Sequence, residues 1–162
     1  MQLPGASWAR TVTPPLRSRT VRNSPADVGR PLKVLHVDDD PMNLRVVQEI
    51  LGAFGHQAVM ACSGAEALER LSVESFDIML LDIHMPGMTG IEVIERLRAL
   101  PGPEGKTPVI ALTADIYSRR PAEYVALGFN DFVSKPILVA GLMASIRRCV
   151  SPTSAAALSR AS

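Results

Sequence analysis

From Lys33 onward the chain alternates between short apolar runs and longer stretches whose apolar residues recur at helical spacing. Lys33 to Asp38 is a β-branched run ending in acid, which predicts a strand. Asp40-Pro41 then predicts a helix start, because Asp can cap free N–H groups and Pro fits the first turn. Val46, Val47, Ile50, Leu51 and Phe54 form its expected apolar stripe, and Gly55 stops it. The unit repeats. Gln57 to Ala61 reads as a strand. Ser63 and Glu66 have capping-box spacing ahead of Leu68 and Leu71. Asp77 to Asp82 is nearly all apolar between its two acids, as expected of a strand covered on both faces. Thr89 and Glu92 repeat the capping spacing, with Ile91, Ile94, Leu97 and Leu100 on one helical face. After a Pro101-Gly-Pro103 loop, Pro108 to Leu112 reads as a strand and 118–127 as a weaker helix broken at Gly128. Asp131 to Ser134 is a short strand and Ile137 to Val150 a last helix. Five strands alternating with five helices predict an α/β, doubly wound parallel sheet with right-handed crossovers and helices on both faces.

Outside this repeat the texture differs. Residues 1–30 hold four prolines and no period, which predicts a flexible arm; 31–150 is the folded domain and 151–162 a disordered tail. Formal net charge is only +1, but residues 1–30 carry +4 and residues 31–150 carry −4. The bulk balance therefore argues for neither nucleic acid nor membrane, and the basic arm has no aromatic beyond Trp8. Arg147-Arg148 reads as a solvated helix end, favoured by the helix dipole. Cys62 and Cys149 lack metal-ligand spacing and make a poor disulfide framework, so they read as buried free thiols. With no apolar run of membrane-span length and no secretory segment, the expected location is cytoplasmic. His36 falls inside the first strand and reads as a core or strand-face residue; His56 falls in a turn.

Ligands of such sheets bind at the carboxyl ends of the strands. There stand Asp38-Asp39-Asp40, Asp82, Thr113 and Lys135. Each alone has an ordinary explanation as a cap, a turn residue or a solvated charge. Together they describe a chemistry. Converging carboxylates raise one another's pKa unless a cation neutralises them. Hard oxygen ligands with room for water suit Mg²⁺. A lysine and a threonine hydroxyl can hold phosphoryl oxygens, and an Asp carboxylate can be the nucleophile that forms an acyl phosphate.

The stretches Val-Leu-His-Val-Asp-Asp-Asp-Pro, Ile-Met-Leu-Leu-Asp-Ile-His-Met-Pro-Gly-Met-Thr-Gly, Val-Ile-Ala-Leu-Thr-Ala and Asp-Phe-Val-Ser-Lys-Pro-Ile resemble the response-regulator receiver family of two-component signalling. The likeness runs from about Lys33 to Val150, and Phe129 to Pro136 is similar in particular to receivers attached to hybrid histidine kinases. The resemblance implies a flavodoxin-like sheet of order 2-1-3-4-5. It implies Asp82 as phosphoacceptor, with Mg²⁺ held by Asp38, Asp39, Asp82 and the His84 backbone carbonyl. Asp39 and Asp82 would bind directly, Asp38 often through water. Thr113 and Lys135 would contact the phosphoryl group. Thr113 and Phe132 would form the switch, Phe132 by packing alone since it lacks a hydroxyl. Lys135–Pro136 resembles a peptide bond that is cis in the family. His84 and Asp115 border the path of the hydrolytic water and would set the phosphoryl lifetime. Asp40 is assigned to capping.

The function expected is acceptance of a phosphoryl group from a histidine kinase or histidine phosphotransfer protein, followed by signalling to a protein through the 118–150 face. That makes the chain a signalling phosphoacceptor rather than an enzyme with a separate substrate. Only twelve residues follow Val150, so a single-domain regulator without an output domain is expected; the alternative is the terminal receiver of a hybrid histidine kinase. An unphosphorylated pseudo-receiver acting as a binding module is disfavoured by the full acidic set with Thr113 and Lys135. An aspartate-nucleophile phosphatase would want Asp-x-Asp, where Ile83 and His84 follow Asp82; a flavin site would want a Ser/Thr/Gly loop where three acids stand.

Overall fold

The computed structural model describes residues 29–151. The arm expected over 1–30, apart from Gly29 and Arg30, and the tail expected over 151–162, apart from Ser151, lie outside the described residues. In chain order the elements are β1 (Lys33–Val37), α1 (Pro41–Ala53), β2 (Gln57–Ala61), α2 (Gly64–Val73), β3 (Ile78–Asp82) and α3 (Gly90–Arg98). A 3₁₀ turn over Pro103–Lys106 follows, then β4 (Val109–Thr113), α4 (Pro121–Leu127), β5 (Asp131–Ser134) and α5 (Val139–Val150). All strand pairs are parallel and the order is β2-β1-β3-β4-β5. The alternation read from the sequence and the implied strand order are both realised.

Two apolar layers hold the sheet. Leu35, Val37, Met79, Leu81, Val109 and Ala111 face one way, against α2, α3 and α4. Val34, Ile78, Leu80, Ile110, Leu112 and Val133 face the other, against α1 and α5. The alternation follows from the two-residue period of a strand. Each fully buried Leu, Ile or Val contributes about 1.5–3 kcal/mol, so β3 and β4, buried at every position, form the rigid centre.

The helix starts are set by side chains. Asp40 accepts from the Met42 N–H with Pro41 in the first turn, Ser63 accepts from the Glu66 N–H, and Thr89 with Glu92 completes a capping box. Gly55 and Gly128 close α1 and α4 with positive φ of 78° and 107°, where a Cβ would be strained.

Several details differ from the expectation. On α1 the buried stripe is Leu44, Val47 and Leu51; Val46 points to solvent because it is one step off the face that meets the sheet. Leu100 lies past the end of α3 and is exposed; Val93 takes its place in the core. The helix expected over 118–127 begins only at Pro121, since residues 115–120 are held in turns by Asp115 and by Pro121. The last helix begins at Val139 rather than Ile137, after Pro136. Cys62 is exposed and Cys149 half-buried, so the pair are free thiols but not both buried. Cys62 follows the end of β2, beyond the cover of α2. Arg148 is tied to Asp131 at 2.6 Å rather than merely solvated. His56 is buried, and its Nδ1 accepts from the Leu32 N–H at 3.1 Å.

Candidate functional site

Strand register builds the site. β1 and β3 pair so that Val37 faces Leu81, which brings Asp38 beside Asp82 one step later. Asp82 in turn faces Leu112, so Thr113 ends β4 on the same edge, and Thr113 faces Ser134 ahead of Lys135. The Lys135 N–H donates to the Thr113 carbonyl at 2.7 Å. Residues more than ninety positions apart meet there.

Asp38 and Asp82 are buried and Asp39 is exposed; one carboxylate oxygen from each lies within 4.8 Å of the others. Lys135 Nζ bridges the two buried acids, 3.0 Å from Asp38 Oδ2 and 3.1 Å from Asp82 Oδ2. The free lone pairs are aimed by backbone. The His84 N–H donates to Asp82 Oδ1 at 3.0 Å and the Asp40 N–H to Asp38 Oδ1 at 2.9 Å. Burial pushes the Asp82 carboxyl above its ordinary range, against the opposing pull of the His84 N–H and Lys135. Lys135 loses solvation by burial, yet the two carboxylates win and hold its pKa above the ordinary lysine value. At neutral pH the ammonium is therefore the cation of this crevice. Three hard oxygens this close also fit Mg²⁺. Its bonds are about 2.0–2.1 Å, so opposed ligands stand about 4 Å apart and small side-chain movements suffice.

The other candidate residues surround this centre. Thr113 Oγ1 accepts from the Asp115 N–H at 3.1 Å and donates to the Asp115 carbonyl at 3.2 Å, so its hydroxyl is turned into the β4–α4 loop. Asp115 Oδ1 accepts from the N–H groups of Tyr117 and Ser118, both at 3.0 Å; these bonds hold its carboxyl below the ordinary range. The Lys135–Pro136 peptide is cis. Phe132 is half-buried and stacks on Tyr124, with centroids 5.1 Å apart and planes 17° apart.

Four contributors were missed by reading the sequence. Tyr124 is buried and lines a cavity of about 210 Å³ with Ile83, His84, Thr113 and Ile91, and nothing but an aromatic in a weak helix signalled it. Gly90 lets α3 abut the end of β3, since a Cβ there would stand 2.3 Å from the Asp82 carbonyl oxygen. A glycine opening a capped helix was the available signal. Arg98 donates to the carbonyls of Gly128, Gly105 and Thr107 and to Asn130 Oδ1, fastening α3 to the loops on either side of β4. His36 was placed correctly in the strand, but its isolation was not foreseen. It is fully buried, neither ring nitrogen has a hydrogen-bond partner, and burial lowers its pKa to about 4, partly opposed by Asp38. A larger hollow of about 510 Å³ lies at the other end of the sheet, lined by Phe76, Asp77, Pro103 and Thr107, and holds none of these groups.

No helix among the described residues is long and apolar enough to cross a membrane. Residues 34–147 match the family model of the response regulator receiver domain. Sensor protein GacS of Pseudomonas syringae pv. syringae is 36% identical over 119 residues, covering 69% of this chain and 13% of GacS. The aerobic respiration control sensor protein ArcB of Escherichia coli K12 is 35% identical over 117 residues, covering 72% of this chain and 15% of ArcB. The chain thus spans less than a sixth of these relatives. Among solved structures, the chemotaxis protein CheY4 of Vibrio cholerae superposes with a TM-score of 0.68 at 30% identity, covering 74% of this chain and 98% of that one. The receiver domain of sensor histidine kinase PA1611 from Pseudomonas aeruginosa PAO1, which has a magnesium ion coordinated in its active-site cleft, superposes with a TM-score of 0.67 at 26% identity, covering 74% of this chain and 98% of that one. By its family model, its relatives and its strand order, the chain belongs to the response regulator receiver domains, the phosphoacceptor domains of two-component signalling.

Proposed function

We propose that Asp82 is the phosphoacceptor, that the donor is a phosphohistidine on a histidine kinase or histidine phosphotransfer protein, and that the site works with Mg²⁺. The observation that carries this reading is the meeting of Asp38, Asp39 and Asp82 around the ammonium of Lys135. Asp82 Oδ1 is held by the His84 N–H, while Oδ2 faces Lys135. A carboxylate oxygen of Asp82 attacks phosphorus, the P–N bond to the donor imidazole breaks, and its electron pair returns to the ring nitrogen, which then takes up a proton. Lys135 holds negative charge on the phosphoryl oxygens. Thr113 reaches them by exchanging its bonds to the Asp115 backbone for one to the phosphoryl group. Asp38, Asp39, Asp82 and the His84 carbonyl would hold the Mg²⁺, which supplies charge neutralisation at the transferring group. His84 and Asp115 flank the approach of water to the product.

The signal would leave through the 118–150 face. Val125, Leu138 and Val139 expose apolar side chains there, and Tyr117 is 92% exposed just ahead of it; such surface on a soluble unit is suited to a protein partner. The expected setting is the cytoplasm. The receiver of a hybrid kinase is favoured by the sensor proteins GacS and ArcB among the relatives.

The test is incubation with acetyl phosphate, with and without Mg²⁺, followed by intact-mass measurement. Wild type should gain a base-labile phosphoryl adduct only with Mg²⁺, and Asp82→Asn should gain none. Undiminished labelling of the variant at another residue would overturn the assignment.

A further inference from the structure

The hollow of about 510 Å³ at the far end of the sheet lies between the end of α2 and the residues that lead into β3 and β4. Its apolar surface comes from Val73, Pro103 and Pro108 over the buried Leu71 and Phe76. Val73 is 78% exposed, unusual for an aliphatic side chain at the end of an amphipathic helix. The charged side chains of the lining are Glu74, Asp77, Glu104 and Lys106. Glu74 is paired with Lys33 and Arg70, and Asp77 with Arg30 at 2.5 Å. Glu104 has no ion-pair partner among the described residues.

The chain enters the fold at this rim. It turns at Gly29, with φ 79°, and Arg30 then grips Asp77 Oδ1. The Lys33 N–H donates to the other Asp77 oxygen at 2.8 Å, so the start of β1 is tied to the wall of the hollow. The residues ahead of Gly29 carry Arg10, Arg17, Arg19 and Arg22 against Asp27 alone, whereas residues 31–150 carry −4. Leu16 and Val21 are apolar side chains set among those arginines. Arg22 is seven residues from Gly29; seven residues span at most about 23–25 Å, more than the width of about 10 Å of a compact hollow of this volume. A tether this short gives an effective concentration on the order of millimolar, so contacts too weak to join separate molecules can hold the segment in place.

We infer that residues 16–28 dock in this hollow as an intramolecular ligand, with Leu16 and Val21 against Val73, Pro103 and Pro108 and with Arg22 beside Glu104. Docking covers exposed apolar surface, gives Glu104 a partner, and extends the contact that Arg30 begins at Asp77. The hollow holds none of the phosphoacceptor residues, so this docking does not rest on the assignment of Asp82.

The experiment is limited trypsin digestion of the full chain, following cleavage after Arg19, inside the docked segment, relative to cleavage after Arg10, outside it. Proteolysis of this kind follows the population of the open form. Glu104→Lys, Val73→Lys and Arg22→Glu should each raise the ratio of the two rates by about fivefold or more over wild type. Combining Arg22→Glu with Glu104→Lys restores the opposite charges and should return the ratio to within about twofold of wild type. If a substitution in the hollow disturbs the fold, Arg22→Glu, which lies outside it, asks the same question. A ratio unchanged in all three single variants would overturn the inference and leave the hollow to another occupant. Protection that grows with protein concentration would assign the docked segment to a second copy, and protection removed by Mg²⁺ at constant ionic strength would place it on the acidic crevice; either result overturns the inference as well.

Discussion

His36 makes the protein acid-sensitive chiefly because it is buried inside β1. The ring lies inside β1 between Met60 of β2 and Leu80 of β3, with both nitrogens unpartnered. Desolvation lowers its pKa from 6.5 to about 4; the Asp38 carboxylate opposes the shift and the Lys135 ammonium adds to it. The sign follows from linkage. Between pH 6.5 and 4 the unfolded chain binds a proton at this ring and the folded chain does not, so stability is present above pH 6.5 and is lost as pH falls. The full span of about 2.5 pH units corresponds to about 3 kcal/mol, of which about 2 kcal/mol is lost between pH 7 and pH 5. His36→Leu removes the titrating group and two buried polar atoms with little change in volume. The variant should be at least as stable as wild type at pH 7, and its advantage should grow by about 2 kcal/mol by pH 5. Urea unfolding followed by circular dichroism at pH 7, 6 and 5, without Mg²⁺, measures this. The carboxylates common to both proteins cancel in the difference. An advantage that changes by less than about 0.5 kcal/mol over that range would show that the ring is protonated or partnered in the folded state, and the reasoning would fail.

Asp39→Ala relieves the crowding of Asp38 and Asp82, so it should raise the melting temperature without Mg²⁺ and abolish the Mg²⁺-dependent stabilisation that wild type shows by mass action. Equal stabilisation of both proteins by Mg²⁺ would place the cation elsewhere. Replacing His84 and Asp115 together by Ala should change the decay rate of phosphorylated Asp82, followed by intact mass, with Mg²⁺ affinity nearly intact; an unchanged decay would remove both from the water path. Arg98→Ala removes a half-buried guanidinium that donates to three carbonyls and to Asn130 Oδ1, which keeps its bond from the Val109 N–H, and should cost about 2–4 kcal/mol in urea unfolding. A cost under about 1 kcal/mol would mean that water replaces the guanidinium there.

The strands and most helix boundaries were legible because local chemistry fixes them: Asp40 before Pro41, Ser63 before Glu66, Thr89 before Glu92. The acidic residues at the strand ends were legible for a similar reason, since a doubly wound sheet puts every strand end on one edge. Register then brought Asp38, Asp82, Thr113 and Lys135 together. What stayed hidden was rotation and long-range contact. Val46 and Leu44 both fit a helical stripe, and only the packing of α1 on the sheet shows that Leu44 is inside. Arg98 looks like an ordinary charged residue at a helix end, yet its partners lie up to 32 positions away. Tyr124 is a single aromatic in a helix too short to show a period, so its burial against Phe129 and Phe132 comes only from the fold.

The site divides into a fixed half and a movable half, and the division follows from packing. Asp82 ends a strand buried at every position, and its carboxylate is aimed by a backbone N–H two residues further on. Asp38 is likewise buried and aimed by the Asp40 N–H. The backbones that carry them cannot shift without moving the two apolar layers. Thr113 belongs to the rigid strand by its backbone, but its hydroxyl is bonded only to the Asp115 backbone in the loop that follows. The helix after that loop is short and is held to the core by Tyr124 and the partly buried Leu127. A perturbation at Asp82 therefore has one soft direction in which to relax, through the Thr113 side chain toward α4. Substitutions should separate along the same line: those at Asp38, Asp39 and Asp82 act on the chemistry, whereas those on α4 act on what the rest of the cell reads.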